Sequence, residues 1–270
     1  MSQLAQRVLA AVPLLAGLLL LLFLAPVQVA VWVSAAVMIV GAWEWSAFAG
    51  WRPPGLRAAY AGCAALLLAV SSTLVPSVIG LEVVLWIALL WWTLAFFWIL
   101  RFPTAIPPAC AALAGLLVLI PSWLSIVAIL EVPERGPALL LLALCIVFAA
   151  DIGAYFAGRR FGRVKLAPQV SPGKTWEGLI GGVLLAATTA AAGGVLLGLA
   201  PALMVPLGLG VAVLSVVGDL TESMFKRSVG LKDSGHLIPG HGGVLDRLDS
   251  ITAALPLFAL ALSWLGLSTG

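Results

Sequence analysis

Long apolar runs constrain this chain more than any other feature. Breaks at charges, prolines and polar clusters divide it into nine, at about 8–25, 28–49, 58–79, 83–100, 105–130, 137–157, 178–199, 202–221 and 250–267. Each approaches the roughly 20 apolar residues that a membrane-spanning helix needs. Only 9% of the 270 residues are charged and 63% are hydrophobic, whereas about a quarter of a soluble domain is charged. A water-soluble fold could not cover this much apolar surface. The expected class is therefore all-α: a polytopic integral membrane protein with about nine transmembrane helices. The first run, behind Arg7, could be read as a signal peptide, but it leads straight into another span, so a retained first helix is expected.

Lys and Arg favour cytoplasmic loops. With the N-terminus inside and nine spans, Arg7, Arg52, Arg57, Arg101, Arg159, Arg160, Arg163, Lys165, Lys174, Lys226, Arg227, Lys232 and Arg247 all fall on the cytoplasmic side. Of the 14 basic residues only Arg135 falls outside. One missed helix would scramble this alternation, so the asymmetry supports both the count and the orientation. The expectation is a multi-pass protein of the bacterial inner membrane, N-terminus in the cytoplasm, C-terminus outside, with its polar site facing the cytoplasm.

Residues 1–135 are chemically quiet and are expected to be scaffold helices. Glu44, between Trp43 and Trp45, reads there as an interfacial carboxylate. Trp43, Trp45, Trp51, Trp91, Trp92 and Trp98 fall largely near expected span ends, where an aromatic belt forms. Cys63, Cys110 and Cys145 stand singly in apolar runs, without metal-ligand or disulfide spacing, and are expected to pack as small apolar residues.

Residues 136–270 hold the chemistry, although the whole chain is expected to form one membrane unit. Asp151 precedes Arg159 by two helical turns, about 12 Å below the basic end, and a carboxylate at that depth needs a partner or a wet cavity. Ser171-Pro-Gly-Lys174-Thr175 has the residue types of a phosphate cradle: free N–H groups, an ammonium and hydroxyls. It lacks the spacing of a Walker A loop. Further on, Asp219, Glu222, Ser223 and Lys226 share one helical face at i, i+3, i+4 and i+7. Asp246 and Asp249 open the last helix, where the macrodipole favours negative charge.

Capping accounts for one of those aspartates but not for three together with Lys226, Arg227, Lys232 and Arg247. Carboxylates suit Mg2+ bridged to substrate phosphates, and the bases suit phosphate charge. Gly240, Gly242 and Gly243 around His241 allow close backbone approach. His241 reads as a phosphate or nucleotide contact, because two histidines five apart make no zinc signature.

The stretch from Ser223 through Lys226-Arg227, Lys232-Asp233, Gly235, Pro239-Gly240-His241-Gly242-Gly243 and Asp246-Arg247 to Asp249 resembles the signature of phosphatidate cytidylyltransferases. Asp151 with Ser171–Gly178 is similar to an earlier part of that family's pattern, and the resemblance covers essentially the whole chain. It implies that CTP and phosphatidic acid give CDP-diacylglycerol and pyrophosphate. It also implies Mg2+ held by Asp219, Asp246 and Asp249, with Asp151 as a further candidate; whether a second cation binds stays open. Lys226, Arg227, Lys232 and Arg247 would act on phosphates beside Asp233 and His241, with Ser171, Lys174, Thr175, Gly242 and Gly243 around the nucleotide. The resemblance further implies a homodimer; no nucleic-acid partner is expected. Two other classes fit the sequence less well. A CDP-alcohol phosphotransferase would need an Asp-Gly-x2-Ala-Arg element that is missing, and a transporter would carry charges across the midplane rather than on one side.

Overall fold

The computed structural model describes residues 3–75, 78–235, 237 and 242–267. Among the described residues it contains nine helices: α1 (Gln3–Phe23), α2 (Val27–Trp45), α3 (Pro54–Leu74), α4 (Val78–Arg101), α5 (Pro108–Leu130), α6 (Gly136–Phe161), α7 (Trp176–Leu196), α8 (Pro201–Ser228) and α9 (Leu245–Trp264). Prolines open α3, α5, α6 and α8, because the first turn has no use for the missing N–H and the ring pre-sets the helical φ. Between α6 and α7 runs a short antiparallel ribbon, β1 (Lys165–Ala167) and β2 (Ser171–Thr175). The fold is otherwise helical, as expected of the all-α class, and Ser171–Thr175 forms one strand of this ribbon.

Seven helices, α2 to α8, are long and apolar enough to cross a membrane. Among the described residues α1 contributes a shorter apolar helix, Val12–Phe23, and α9 carries Asp246, Arg247 and Asp249 in its first turns. Helix limits lie within five residues of the apolar runs except at the end of α8, which continues seven residues past the expected end at 221. Hydropathy stops at the first charges, but these charges find partners along and across the helix, so the backbone ladder continues. It ends at Gly230, whose φ of +72° lets Gly230 and Leu231 donate to the carbonyls of Arg227 and Lys226, the αL closure typical of a helix C-terminus.

The interior forms two adjoining clusters. One gathers Leu139, Ile146, Met204, Leu255 and Phe258; the other gathers Met38, Trp92, Leu119, Phe225 and Leu245. Helix α9 serves both and packs against α4, α5 and α8. The outer surface is apolar as well, with Trp32, Phe156 and Leu196 among its exposed side chains. A surface of that kind needs lipid, not water, as its surroundings.

The aromatic belt is only part of the tryptophan pattern, because Trp45 and Trp92 are each 2% exposed and sit in the core. The three cysteines reverse their expected placing: all are exposed on the outside of the helices. Helices α6 and α7 approach closely through small residues. A Cβ on Gly178 would stand 2.9 Å from the carbonyl of Ala154, and one on Gly182 2.5 Å from that of Ala150. Small residues four apart are what permit such helix contact in a bilayer. This contact sets Asp151 of α6 beside the ribbon and the start of α7.

Candidate active site at one end of the helix bundle

The C-terminal ends of α2, α6 and α8, the N-terminal ends of α7 and α9 and the β ribbon meet at one end of the bundle. Their polar side chains form two connected groups. In the first, Lys174 of β2 places its Nζ 2.8 Å from Oδ2 of Asp219 on α8, and the Ser223 hydroxyl donates to the other oxygen of Asp219 at 3.3 Å. Asp151, Tyr155, Arg159, Thr175 and this pair line a cleft of about 440 Å³. Asp151 is exposed to that cleft and not sealed in the interior. Arg159 donates to the Tyr155 hydroxyl at 2.9 Å, which holds a guanidinium over the mouth.

The second group centres on Asp246. Its Oδ1 accepts from Lys226 Nζ at 2.6 Å, and its Oδ2 accepts from the backbone N–H groups of Ser234 at 2.9 Å and Gly243 at 2.8 Å. Lys226 also donates to Glu222 at 3.1 Å, one turn back on α8. The lysine and glutamate are 8% and 2% exposed, so this is a buried Glu–Lys–Asp triad. Asp249 lies one turn further along α9, accepts from its own neighbour Ser250 N–H at 2.7 Å, and interacts electrostatically with Asp219, Lys174 and Lys226.

Within this network five carboxylates (Asp151, Asp219, Glu222, Asp246 and Asp249) share two ammonium groups, Lys174 and Lys226. The formal surplus is negative. Among the described residues no three carboxylate, imidazole or thiol groups stand together as a ready-made metal cage. The donor chemistry still suits a hard cation, being all oxygen and charge-rich, with Asp151 and Asp219 lining the cleft. A larger hollow of about 850 Å³ among α2, α3 and α5 is lined by Trp32, Leu68 and Trp123, with Glu131 its one charged side chain. It offers no basic group to a phosphate.

The structure sorts the remaining sequence candidates. Thr175 is buried and its hydroxyl caps α7 by accepting from Gly178 N–H at 3.1 Å, a standard use of threonine before a helix. Ser171 sits at the turn end of β2, paired with Ala167, about 10 Å along the strand from Lys174, and does not line the cleft. Lys232, Asp233 and Arg247 are exposed. Arg227 is turned onto the Leu231 carbonyl at 3.2 Å. His241 lies outside the described residues.

Gly242, at φ +82°, has the Asp246 carboxylate 2.6 Å from where a Cβ would stand. Gly243 is pressed against Ser234 and Glu44. Both glycines thus admit a protein carboxylate close to the backbone, besides any approach of substrate.

Two further carboxylates belong to these groups. Glu222 shares the polar face of α8 without an expected role, and its Glu-x3-Lys spacing is itself the signal for the pair with Lys226. Glu44, expected at an interface, is 1% exposed and accepts from Ser234 Oγ at 3.0 Å, Val244 N–H at 3.1 Å and Leu245 N–H at 2.9 Å. A carboxylate among apolar residues of a candidate span was the available clue.

Comparison with known proteins adds a sequence relationship to this geometry. A family model described as "Cytidylyltransferase family" matches residues 5–265. The chain is 44% identical to the phosphatidate cytidylyltransferase of Pseudomonas aeruginosa over 236 residues, covering 85% of each protein. It is 38% identical to that of Haemophilus influenzae over 293 residues, covering 94% of this chain and 96% of the relative. A Brucella suis phosphatidate cytidylyltransferase is 51% identical over 122 residues, 43% of each chain.

Proposed function

The chain belongs to the cytidylyltransferase family, and from that membership we propose that it transfers the cytidylyl group of CTP to phosphatidic acid. A phosphate oxygen of the lipid bonds to the α-phosphorus of CTP, the bond from that phosphorus to the β-phosphate bridging oxygen breaks, and pyrophosphate leaves with the electron pair. CDP-diacylglycerol stays in the membrane. The observation that carries this reading is that the similarity spans both polar groups of the site and nearly every helix.

The geometry supports a division of labour. Lys174 and Arg159 at the cleft, with the exposed Lys232 and Arg247, supply positive charge to the triphosphate and the lipid phosphate. Lys226, buried between Glu222 and Asp246, orders the α8–α9 connection in place of clamping phosphate. Asp219, Asp249 and Asp151 are the carboxylates we assign to Mg2+, because both oxygens of Asp246 already accept from three donors. When bound, Mg2+ supplies charge neutralisation for the triphosphate and the departing pyrophosphate.

We place the site on the cytoplasmic side of a bacterial inner membrane, in a nine-span, N-in arrangement, because the basic residues gather at this end. CTP is cytosolic and the lipid phosphate lies at the headgroup plane, so a cleft at the bundle's end meets both. We also propose a homodimer, to be tested by cross-linking in native membranes.

The decisive assay gives purified protein labelled CTP, phosphatidic acid and Mg2+ in detergent or liposomes. Labelled CDP-diacylglycerol and stoichiometric pyrophosphate are expected, with both lost on chelation and restored by Mg2+. Folded protein that forms neither product refutes the reading. Activity indifferent to chelation refutes the metal assignment.

A further inference from the structure

The N-terminal end of α9 has backbone donors that its own helix cannot use, and two carboxylates divide them. Asp246 takes Gly243 N–H, while Glu44 takes Val244 N–H and Leu245 N–H. Ser234, twelve residues earlier, joins the two: its N–H goes to Asp246 and its hydroxyl to Glu44. Glu44 therefore grips both sides of the connection that carries Lys232 and Asp233 and leads into Asp246, and it does so from α2, nearly 200 residues away in sequence.

The grip is rigid because its base is. Arg57 of α3 donates to the Trp43 carbonyl at 2.9 Å and stacks over the Trp43 ring at 4.5 Å. The Trp45 indole donates to the Ala111 carbonyl at 2.8 Å and packs on Phe225 of α8. Gly235 and Gly243 have no side chain where the Glu44 carboxylate lies; a Cβ on either would collide with it.

We infer that Glu44 is a positioning residue for cytidylyl transfer, holding Ser234 and the start of α9 so that Asp246 keeps its place beside Lys226. It touches no substrate. This inference rests on the cytidylyl-transfer reading.

Glu44→Gln keeps the size but must turn an NH2 toward at least one N–H or hydroxyl donor. The expected result is a kcat lower by about 10- to 100-fold, the range for residues that orient others, with KM for CTP and phosphatidic acid within about threefold of the parent. Folded yield stays near the parent's, while the thermal midpoint falls by a few °C because one buried donor is left facing an NH2. Glu44→Asp, which keeps the charge, recovers part of the lost kcat. Ser234→Ala combined with Glu44→Gln costs less than the product of the two single effects, because both remove the same tether. Hydrogen exchange at the Val244 and Leu245 amides speeds up in Glu44→Gln, a readout independent of turnover.

The inference is overturned if Glu44→Gln turns over within twofold of the parent, if Glu44→Asp is no better than Glu44→Gln, or if lost activity follows lost folded protein alone. An inactive parent overturns the cytidylyl-transfer reading instead, and the exchange measurement still decides whether Glu44 holds the connection.

Discussion

Replacing Lys226 with methionine tests the buried triad. The ammonium bonds Glu222 at 3.1 Å and Asp246 at 2.6 Å, and the three side chains are 9%, 3% and 11% exposed, so solvent cannot take over its role. Lys226→Met leaves Asp246 with two backbone donors but strands Glu222. Breaking a buried ion pair by removing one partner costs about 3–5 kcal/mol. For a chain of this length each kcal/mol lowers the thermal midpoint by about 2–4 °C, so Lys226→Met is expected to melt roughly 6–20 °C lower.

The double variant Lys226→Met with Glu222→Met replaces the pair with apolar groups of similar volume, a change that is often close to neutral for stability. It should regain more than half of the lost thermal midpoint. It should not regain activity, because Asp246 has lost the ammonium that orients it. Thermal unfolding in detergent, followed by loss of the monodisperse elution peak, reads the first quantity; CDP-diacylglycerol formation reads the second. A single variant that melts with the parent, or a double variant no more stable than the single, refutes the triad as a buried charge network.

Asp219→Asn removes a carboxylate assigned to Mg2+, but its ion pair with Lys174 is part-exposed and contributes under about 1 kcal/mol to stability. Turnover is expected to fall about 100-fold or more with little change in thermal midpoint, and a parallel loss of both would mean that Asp219 is structural. Gly243→Ala meets Glu44, Ser234 and the Gly235 backbone and should cost about 1–3 kcal/mol by overpacking. Gly62→Ala, with nothing within 4 Å, serves as its neutral control; equal thermal midpoints for the two would refute the close packing around Glu44. In a background with Cys63, Cys110 and Cys145 changed to serine, Lys232→Cys should react with an impermeant maleimide only in inverted vesicles. Labelling from the outside of intact cells would reverse the assigned orientation.

Sequence alone determined the membrane class, most helix limits and the residue types of the site, for reasons that are local. Apolar run length is set by bilayer thickness, Pro201 opens α8 by its fixed φ one residue from the expected start, and the i, i+3, i+4, i+7 spacing puts Asp219, Glu222, Ser223 and Lys226 on one face whatever surrounds them. The ordered run from Ser223 to Asp249 likewise points to cytidylyl transfer by its resemblance to the family signature. What only the tertiary structure decided is which charges meet. Lys174 crosses to Asp219, Lys226 turns inward to Asp246, and Glu44 reaches the start of α9, pairings separated by 45, 20 and 201 positions. Such pairings depend on how α2, α8, α9 and the ribbon pack. A helix pattern tells which face a side chain shares, but a carboxylate finds its donor through the space between elements, and that space exists only once the bundle has closed.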